Sequence, residues 1–279
     1  MEKIDYKRIE ELVREAGKIM LKADFSGEIV HEKQGDANFC TDYDVEIQRF
    51  LIRNLSNVVP GAVFYGEEDT EGNKKDERAG DYIFYIDPID GTTNFMFGYK
   101  HSCVSVGLAF EGKIIAGFVY NPFKDEMYTG ILGQGSTLNG RKLKLEDKSL
   151  SEGIAGFDCT RYNEGTSDNI DILFKVVKEL YFQSLAIREG GSSTLDLCRV
   201  ASASNVVYFQ MVLQPYDYAA AWIIVEEAGG VITQIDGSPL RLDGPSSAIC
   251  GTPKAYAQTK EIAARMVKEV RGSHMKQDT

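Results

Sequence analysis

Only three histidines occur in 279 residues, His31, His101 and His274, and none belongs to an H-E-x-x-H pattern or a Cys/His cluster. A zinc site built on imidazole and thiolate is therefore not expected. The five cysteines, Cys40, Cys103, Cys159, Cys198 and Cys250, form no C-x-x-C pair, and their odd number leaves one over whatever the bridging. They read as reduced, mostly buried thiols. Positive charge is also short: 31 lysines and arginines face 42 acids, for a net charge of −11. Nucleic-acid backbones are bound by clustered cations, so they are set aside as the main partner. No apolar run approaches the roughly 18 residues that a membrane span needs. Met1-Glu2-Lys3 opens no signal-peptide pattern either, so the chain is expected to work in the cytoplasm, away from the membrane.

Against these absences stands an acidic corner. Tyr82 to Ile86 is a run of aromatic and β-branched residues that reads as a buried strand. Asp87 sits at its carboxyl end, and Pro88 is expected to stop ladder pairing there. Asp90-Gly91 supplies a turn from which Thr92, Thr93 and Asn94 can open a helix. Two carboxylates then lie three residues apart on one rigid corner. Their repulsion is relieved when one is protonated or a cation sits between them, and carboxylate oxygens suit hard divalent cations such as Mg²⁺ or Mn²⁺. The backbone N–H groups of Gly91, Thr92 and Thr93 would meanwhile face an anion such as phosphate. A bare D-x-x-D-G also reads as a solvated strand end and an ordinary turn, so the rest of the chain has to decide.

In chain order, apolar residues at Ile9, Leu12, Val13, Ala16, Ile19, Met20 and Ala23 predict an amphipathic helix over 4–23, and 28–33 reads as a short strand. Thr41 or Asp42 can cap a second helix carrying Val45, Ile47, Phe50, Leu51, Ile52 and Leu55, with Asp44 favouring its dipole. A strand over 62–65 ends in Gly66-Glu67-Glu68-Asp69, and the charged, aperiodic stretch 70–80 reads as a loop between two acidic strand ends. The alternating stretches 102–110, 114–120 and 126–132 predict an antiparallel meander. Further on, strands near 154–157, 183–187, 206–211, 231–235 and 248–250 alternate with helices near 170–180, 190–203, 218–228 and 253–270. That is an α/β pattern with helices covering sheets. The length suggests two halves, 1–145 and 146–270, the first carrying most of the acidic strand ends. In the remaining 271–279, Arg271-Gly272-Ser273-His274-Met275 looks like an appended cloning remnant.

Four acids fall at the ends of predicted elements: Glu67, Asp87, Asp90 and Asp217. Should they converge, they would furnish carboxylates for two or three Mg²⁺ ions about 4 Å apart, the arrangement that clamps attacking and leaving oxygens in phosphoryl chemistry. Gly66-Glu67-Glu68, Asp87-Pro88-Ile89-Asp90-Gly91-Thr92-Thr93-Asn94-Phe95 and Tyr216-Asp217-Tyr218-Ala219-Ala220, continuing to Glu227-Ala228-Gly229-Gly230, occur in that order. Together they resemble the inositol monophosphatase family of Mg²⁺-dependent, lithium-sensitive phosphatases, over about residues 5–270.

The resemblance implies a layered αβαβα sandwich of the inositol monophosphatase and fructose-bisphosphatase type, usually a homodimer. It implies Glu67, Asp87, Asp90, Asp217 and the Ile89 carbonyl as metal ligands, with Mn²⁺ able to replace Mg²⁺. Thr92 and Glu67 would orient the attacking water, and the Gly91 and Thr92 amides would hold the phosphate. Asp90, Asp217 and the Gly191-Ser192-Ser193 turn would meet the substrate. Asp42, with Glu68, would serve a weaker third metal, and Lys33 lies near a family lysine. The implied reaction is direct attack of metal-activated water on a phosphate monoester, with no phosphorylated enzyme and no histidine base.

Two positions depart from the family pattern. Tyr216 replaces the usual tryptophan and keeps the aromatic packing. Gln210 stands where many relatives place a glutamate that accepts hydrogen bonds from inositol hydroxyls; its carbonyl can still accept one, but the charge is gone. Inositol monophosphate or a related polyol or sugar phosphate is the first substrate class to consider. Fructose 1,6-bisphosphate, the NADP(H) 2′-phosphate and 3′-phosphoadenosine 5′-phosphate are the alternatives. A catalytically silent interaction protein would tolerate loss of ligands, all of which are present here, and a glycosidase with paired acids would need no metal. His101, Arg188 and Asp196 read as packing, ion-pair or surface residues.

Overall fold

The structure, a computed structural model, describes residues 4–23, 30–32, 39–68, 82–159 and 167–274. Lys33, Asp69 and the 70–80 stretch lie outside the described residues. The first helix, α1 (Tyr6–Met20), is capped by the Asp5 side chain and buries Ile9, Leu12, Val13, Ala16 and Met20 at helical spacing. After β1 (Val30–Glu32) and β2 (Phe39–Thr41) comes α2 (Asp42–Val58). Thr41 precedes α2 and is held by Asp44: its N–H and Oγ1 both donate to Asp44 Oδ2, at 2.7 and 2.6 Å.

The strands β3 (Val63–Gly66) and β4 (Tyr82–Asp90) lead to the short helix α3 (Thr92–Met96). The meander follows as β5 (Cys103–Phe110), β6 (Lys113–Asn121), β7 (Glu126–Ile131), β8 (Gly135–Leu138) and β9 (Arg141–Lys142). The second half runs β10 (Ile154–Phe157), α4 (Ser167–Gln183), β11 (Ala186–Glu189), α5 (Ser193–Ala201) and β12 (Val207–Leu213). It closes with α6 (Pro215–Ala228), β13 (Val231–Thr233), β14 (Ser246–Gly251) and α7 (Pro253–His274).

Among the described residues, β3 to β9 form a seven-stranded sheet in sequence order, while the five-stranded sheet has the order β11-β10-β12-β14-β13. The first sheet is antiparallel apart from the β3–β4 pair, as the predicted meander requires. Helices α1 and α2 cover its outer face through Leu12, Ile47, Leu51, Phe84 and Phe118. Helices α5 and α6 lie between the two sheets, and α4 and α7 cover the far face of the second. The layers therefore alternate αβαβα.

Two local features position the site. The expectation that Pro88 ends β4 is corrected: the strand continues to Asp90. Its register against β5 shifts between Asp87, opposite Ser105, and Asp90, opposite Cys103. Pro88 and Ile89 thus occupy a bulge, where a missing N–H costs no ladder bond. The second feature is a glycine floor under α6. A Cβ at Gly117 would stand 2.1 Å from the Ala220 carbonyl oxygen, and one at Gly130 would stand 2.8 Å from Ile224 Cα. Bare strand backbone lets the small-residue face of α6 lie directly on the first sheet, although the helix belongs to the second half of the chain. Helix α6 also starts earlier than its apolar run suggested, because Pro215 suits a first turn and the Gln214 N–H donates to Asp217 Oδ2 at 2.7 Å. Helix α7 continues to His274, four residues into the segment set aside as a remnant.

Candidate active site

The bulge of β4 turns both of its carboxylates inward, leaving Asp87 2% and Asp90 7% exposed. Glu67 follows the neighbouring strand and is tied beside them by its N–H, which donates to the Ile86 carbonyl at 3.0 Å. Asp217, in the first turn of α6, arrives from the opposite side because α6 is seated on the same sheet. These four acids, with Ile89 and Thr92, line one cavity of about 210 Å³.

Burial and mutual repulsion dominate its electrostatics. Asp87 is held well above the ordinary carboxylate range, first by desolvation and then by Glu67, Asp90 and Asp217. Asp217 is raised for the same reasons, with Asp90 and Glu67 as its nearest charges, against the opposing Gln214 N–H. Asp90 is pushed up to about 6 by burial, opposed by hydrogen bonds from Ser192 and Thr194. Asp44 rises to about 8, again chiefly from burial, with Glu67 and Glu68 adding to it.

Among the described residues no lysine or arginine lines the small cavity, and Asp87 Oδ1 is buried without a hydrogen-bond partner. Among the described residues no three His, Cys, Asp or Glu side chains already form a closed cage, so the acids ring a space and do not converge on a point. An all-oxygen ring in which Asp87, Asp90 and Asp217 are raised, with an orphaned inner oxygen, fits a hard divalent cation, which removes both the repulsion and the unpaired acceptor.

Beside this ring, the chain turns at Gly91 with φ 84°. A Cβ there would meet the Gly191 carbonyl oxygen at 2.9 Å and the His101 carbonyl oxygen at 3.1 Å, so this corner needs glycine for conformation and for space. Asn94 Nδ2 donates to the carbonyls of His101 and Gly190, at 2.9 and 2.7 Å, which fastens the corner to the 190–194 turn of the second half. From that turn Ser192 Oγ and the Thr194 N–H, the latter at 2.9 Å, both donate to Asp90 Oδ2. Thr92 Oγ1 donates to the Ile89 carbonyl at 3.0 Å and lies 3.5 Å from Asp44 Oδ1.

The structure thus brings Glu67, Asp87, Ile89, Asp90, Gly91, Thr92, Ser193 and Asp217 to the small cavity. Gly191 and Ser193 also line an adjoining cleft of about 750 Å³, which Glu67, Asp90, Gly91 and Thr92 share. Ser192 lines neither and is turned onto Asp90. Three more of the expected site residues lie off both cavities. Asp42 is exposed at the start of α2 and lines neither cavity; Asp44, two residues on, is buried and faces Thr92. Glu68 is buried but lines neither cavity, and it is held by its backbone. Gln210 is 0% exposed and sits beneath Ser193, its Oε1 accepting from Ser193 Oγ at 2.9 Å and from Tyr208 OH, so it reaches the cleft only through Ser193.

Reading the sequence alone missed Asp44, Gln48 and Thr194. A signal for the first two existed: Asp44 and Gln48 fall in register with Ile47, Leu51 and Leu55, on the apolar stripe of α2. His101, Arg188 and Asp196 line the larger cleft, with His101 Nε2 3.4 Å from Asp196 Oδ1.

Comparison with known proteins agrees with this fold. Inositol monophosphatase 1 of Bos taurus is 30% identical over 263 residues, covering 93% of this chain and 91% of that protein. The Nus factor SuhB of Pseudomonas aeruginosa is 30% identical over 226 residues, covering 81% and 83%. Among solved structures, Staphylococcus aureus IMPase-II bound to inositol monophosphate is 25% identical with a TM-score of 0.77, over 98% of this chain and 96% of that one. The same staphylococcal protein bound to 2′AMP has a TM-score of 0.79 at 25% identity, over 97% and 98%. The profile described as "Inositol monophosphatase family" matches residues 3–274. With its fold and its whole described length in agreement, the chain belongs to the inositol monophosphatase family and is a phosphoric monoester hydrolase.

Proposed function

We propose that this enzyme hydrolyses monophosphate esters of polyols or sugars, inositol monophosphate foremost, with two or three Mg²⁺ ions that Mn²⁺ can replace. The observation that carries the reading is the gathering of Glu67, Asp87, Asp90 and Asp217 on one cavity of about 210 Å³ beside the Gly91–Thr92 corner. Those four carboxylates and the Ile89 carbonyl would hold the cations. Bound Mg²⁺ would supply Lewis acidity, lowering the pKa of water and offsetting charge on the ester oxygens.

The chain's own groups do the rest. Ser192 and Thr194 keep Asp90 Oδ2 occupied and so fix the plane of that carboxylate. Thr92 Oγ1, between Asp44 and the Ile89 carbonyl, can take a proton from a water and pass its own to Asp44 Oδ1. Glu67, which lines both cavities, orients that water from the other side. The N–H groups of Gly91 and Thr92 receive the phosphate, and the 750 Å³ cleft receives the alcohol, with Gly191 and Ser193 in its wall. Exposed Tyr181, Phe182 and Leu185 offer apolar surface for the homodimer that the resemblance implies, working in the cytoplasm.

The test is turnover with Mg²⁺ on inositol 1-phosphate, 2′-AMP, fructose 1,6-bisphosphate, NADP⁺ and 3′-phosphoadenosine 5′-phosphate, each with and without EDTA. The reading expects the highest kcat/KM on inositol 1-phosphate and no turnover in EDTA. Preference for a bisphosphate or a dinucleotide would reassign the substrate. Activity that survives EDTA would remove the metal from the account.

A further inference from the structure

Glu67 is the metal-ring acid that directly follows the short strand β3. Its backbone is held at three successive positions. The Glu67 N–H donates to the Ile86 carbonyl at 3.0 Å. On one side of it, a Cβ on Gly66 would stand 2.4 Å from Gln48 Oε1 and 2.5 Å from Gln48 Cδ, so the glycine is packed flat on that amide. On the other side, the Glu68 N–H donates to Gln48 Oε1 at 2.9 Å and Gln48 Nε2 donates to the Glu68 carbonyl at 2.7 Å. One fully buried side-chain amide therefore answers both backbone groups of Glu68 as a neighbouring strand would, while touching Gly66.

Gln48 lies one turn after Asp44 on the buried face of α2, and Asp44 is the group facing Thr92. A single rigid helix thus holds the turn that carries a metal-ring acid and the acid that faces the water-orienting threonine. We infer that Gln48 is a positioning residue, which fixes Glu67 for metal binding through the Gly66–Glu68 backbone. It lines neither cavity, and its contact with the site runs through that turn. This inference rests on the phosphatase reading above.

The experiment is calorimetric titration of Mn²⁺ into the substrate-free protein, for wild type and Gln48→Met, which keeps length and apolar fit but loses the hydrogen bonds to the Glu68 backbone. Groups that orient metal ligands from behind typically change affinity or activity by about 10- to 100-fold when removed. Mn²⁺ affinity in Gln48→Met is expected to fall within that range. At saturating Mg²⁺ the KM for inositol 1-phosphate should stay within about two-fold, while kcat drops. Wild-type Mn²⁺ affinity in a variant whose only change is a lower Tm would make Gln48 merely structural and overturn the inference, leaving the phosphatase reading intact. Absence of Mn²⁺ binding in wild type would overturn both.

A second route does not depend on Gln48→Met folding. Gly66→Ala puts a methyl into the Gln48 amide and should weaken Mn²⁺ binding. In a Gln48→Ala background the methyl has room, so its added effect should largely vanish. Full additivity of the two changes would refute the clamp.

Discussion

The two sheets contribute unlike things to one site. The seven-stranded sheet brings charge: Glu67 after β3, and Asp87 and Asp90 in the bulge of β4. The second half brings mainly hydrogen-bond donors, namely Ser192 Oγ and the Thr194 N–H on Asp90 and the Gln214 N–H on Asp217. Asp217 is the exception, and it belongs to α6, the helix seated on the bare glycine backbone of the first sheet. Two of the acids are built into a bulge of the sheet, and the orientation of Asp90 is then set by donors from elsewhere. Substitutions on the two sides should differ in kind: loss of an acid removes binding, and loss of a donor loosens geometry.

The largest effect is expected on the charged side. Asp90→Asn keeps volume and removes the charge of a proposed metal ligand, and loss of a single preorganised electrostatic group costs about 100- to 1,000-fold in kcat. Turnover of inositol 1-phosphate, with circular dichroism as the check on folding, measures it; near-wild-type turnover would break the division between the two sides.

On the donor side, Ser192→Ala leaves Asp90 Oδ2 with the Thr194 N–H and should cost about 10-fold, at the low end for groups that orient ligands. A loss as large as that of Asp90→Asn would show that the second half does more than orient.

The smallest effect concerns stability and also separates the sides. Asp44 near 8 and Asp90 near 6 lie above their ordinary value of 3.8 in the folded, metal-free protein. The folded state therefore binds protons that the unfolded state releases. Their contribution is complete below the unfolded value and is lost as pH rises through about 6 and then about 8. In EDTA, Tm should fall between about pH 5 and pH 9, by a few degrees for each kcal/mol lost. Saturating Mg²⁺ should flatten the fall. A Tm in EDTA that stays level or rises over this range would contradict the buried, like-charged ring.

Much of this was legible in the sequence wherever chemistry is local. The D-P-I-D-G-T-T-N-F stretch is written in residues with strong backbone preferences, so the corner and its two acids could be placed directly. Pro88 was expected to end the strand, and the sheet accommodates it in a bulge that pairing with β5 decides. Asp42 and Asp44 both stand at a helix start, and either satisfies a local rule. Only the packing of α2 against the sheet turns Asp44 inward and leaves Asp42 in solvent. Gln210 and Ser192 are similar cases. The partner of each is fixed by the meeting of distant segments, Ser193 with β12 and the 190–194 turn with β4, and no short-range pattern encodes that.

The central claim, that acids from both halves hold hard cations beside the Gly91 corner, is tested most directly by anomalous diffraction from crystals soaked in Mn²⁺. The account expects manganese peaks in the small cavity, at roughly 2.0–2.2 Å from carboxylate oxygens of Glu67, Asp87, Asp90 and Asp217. Manganese bound elsewhere, or a cavity that stays free of it at saturating concentration, would contradict the account.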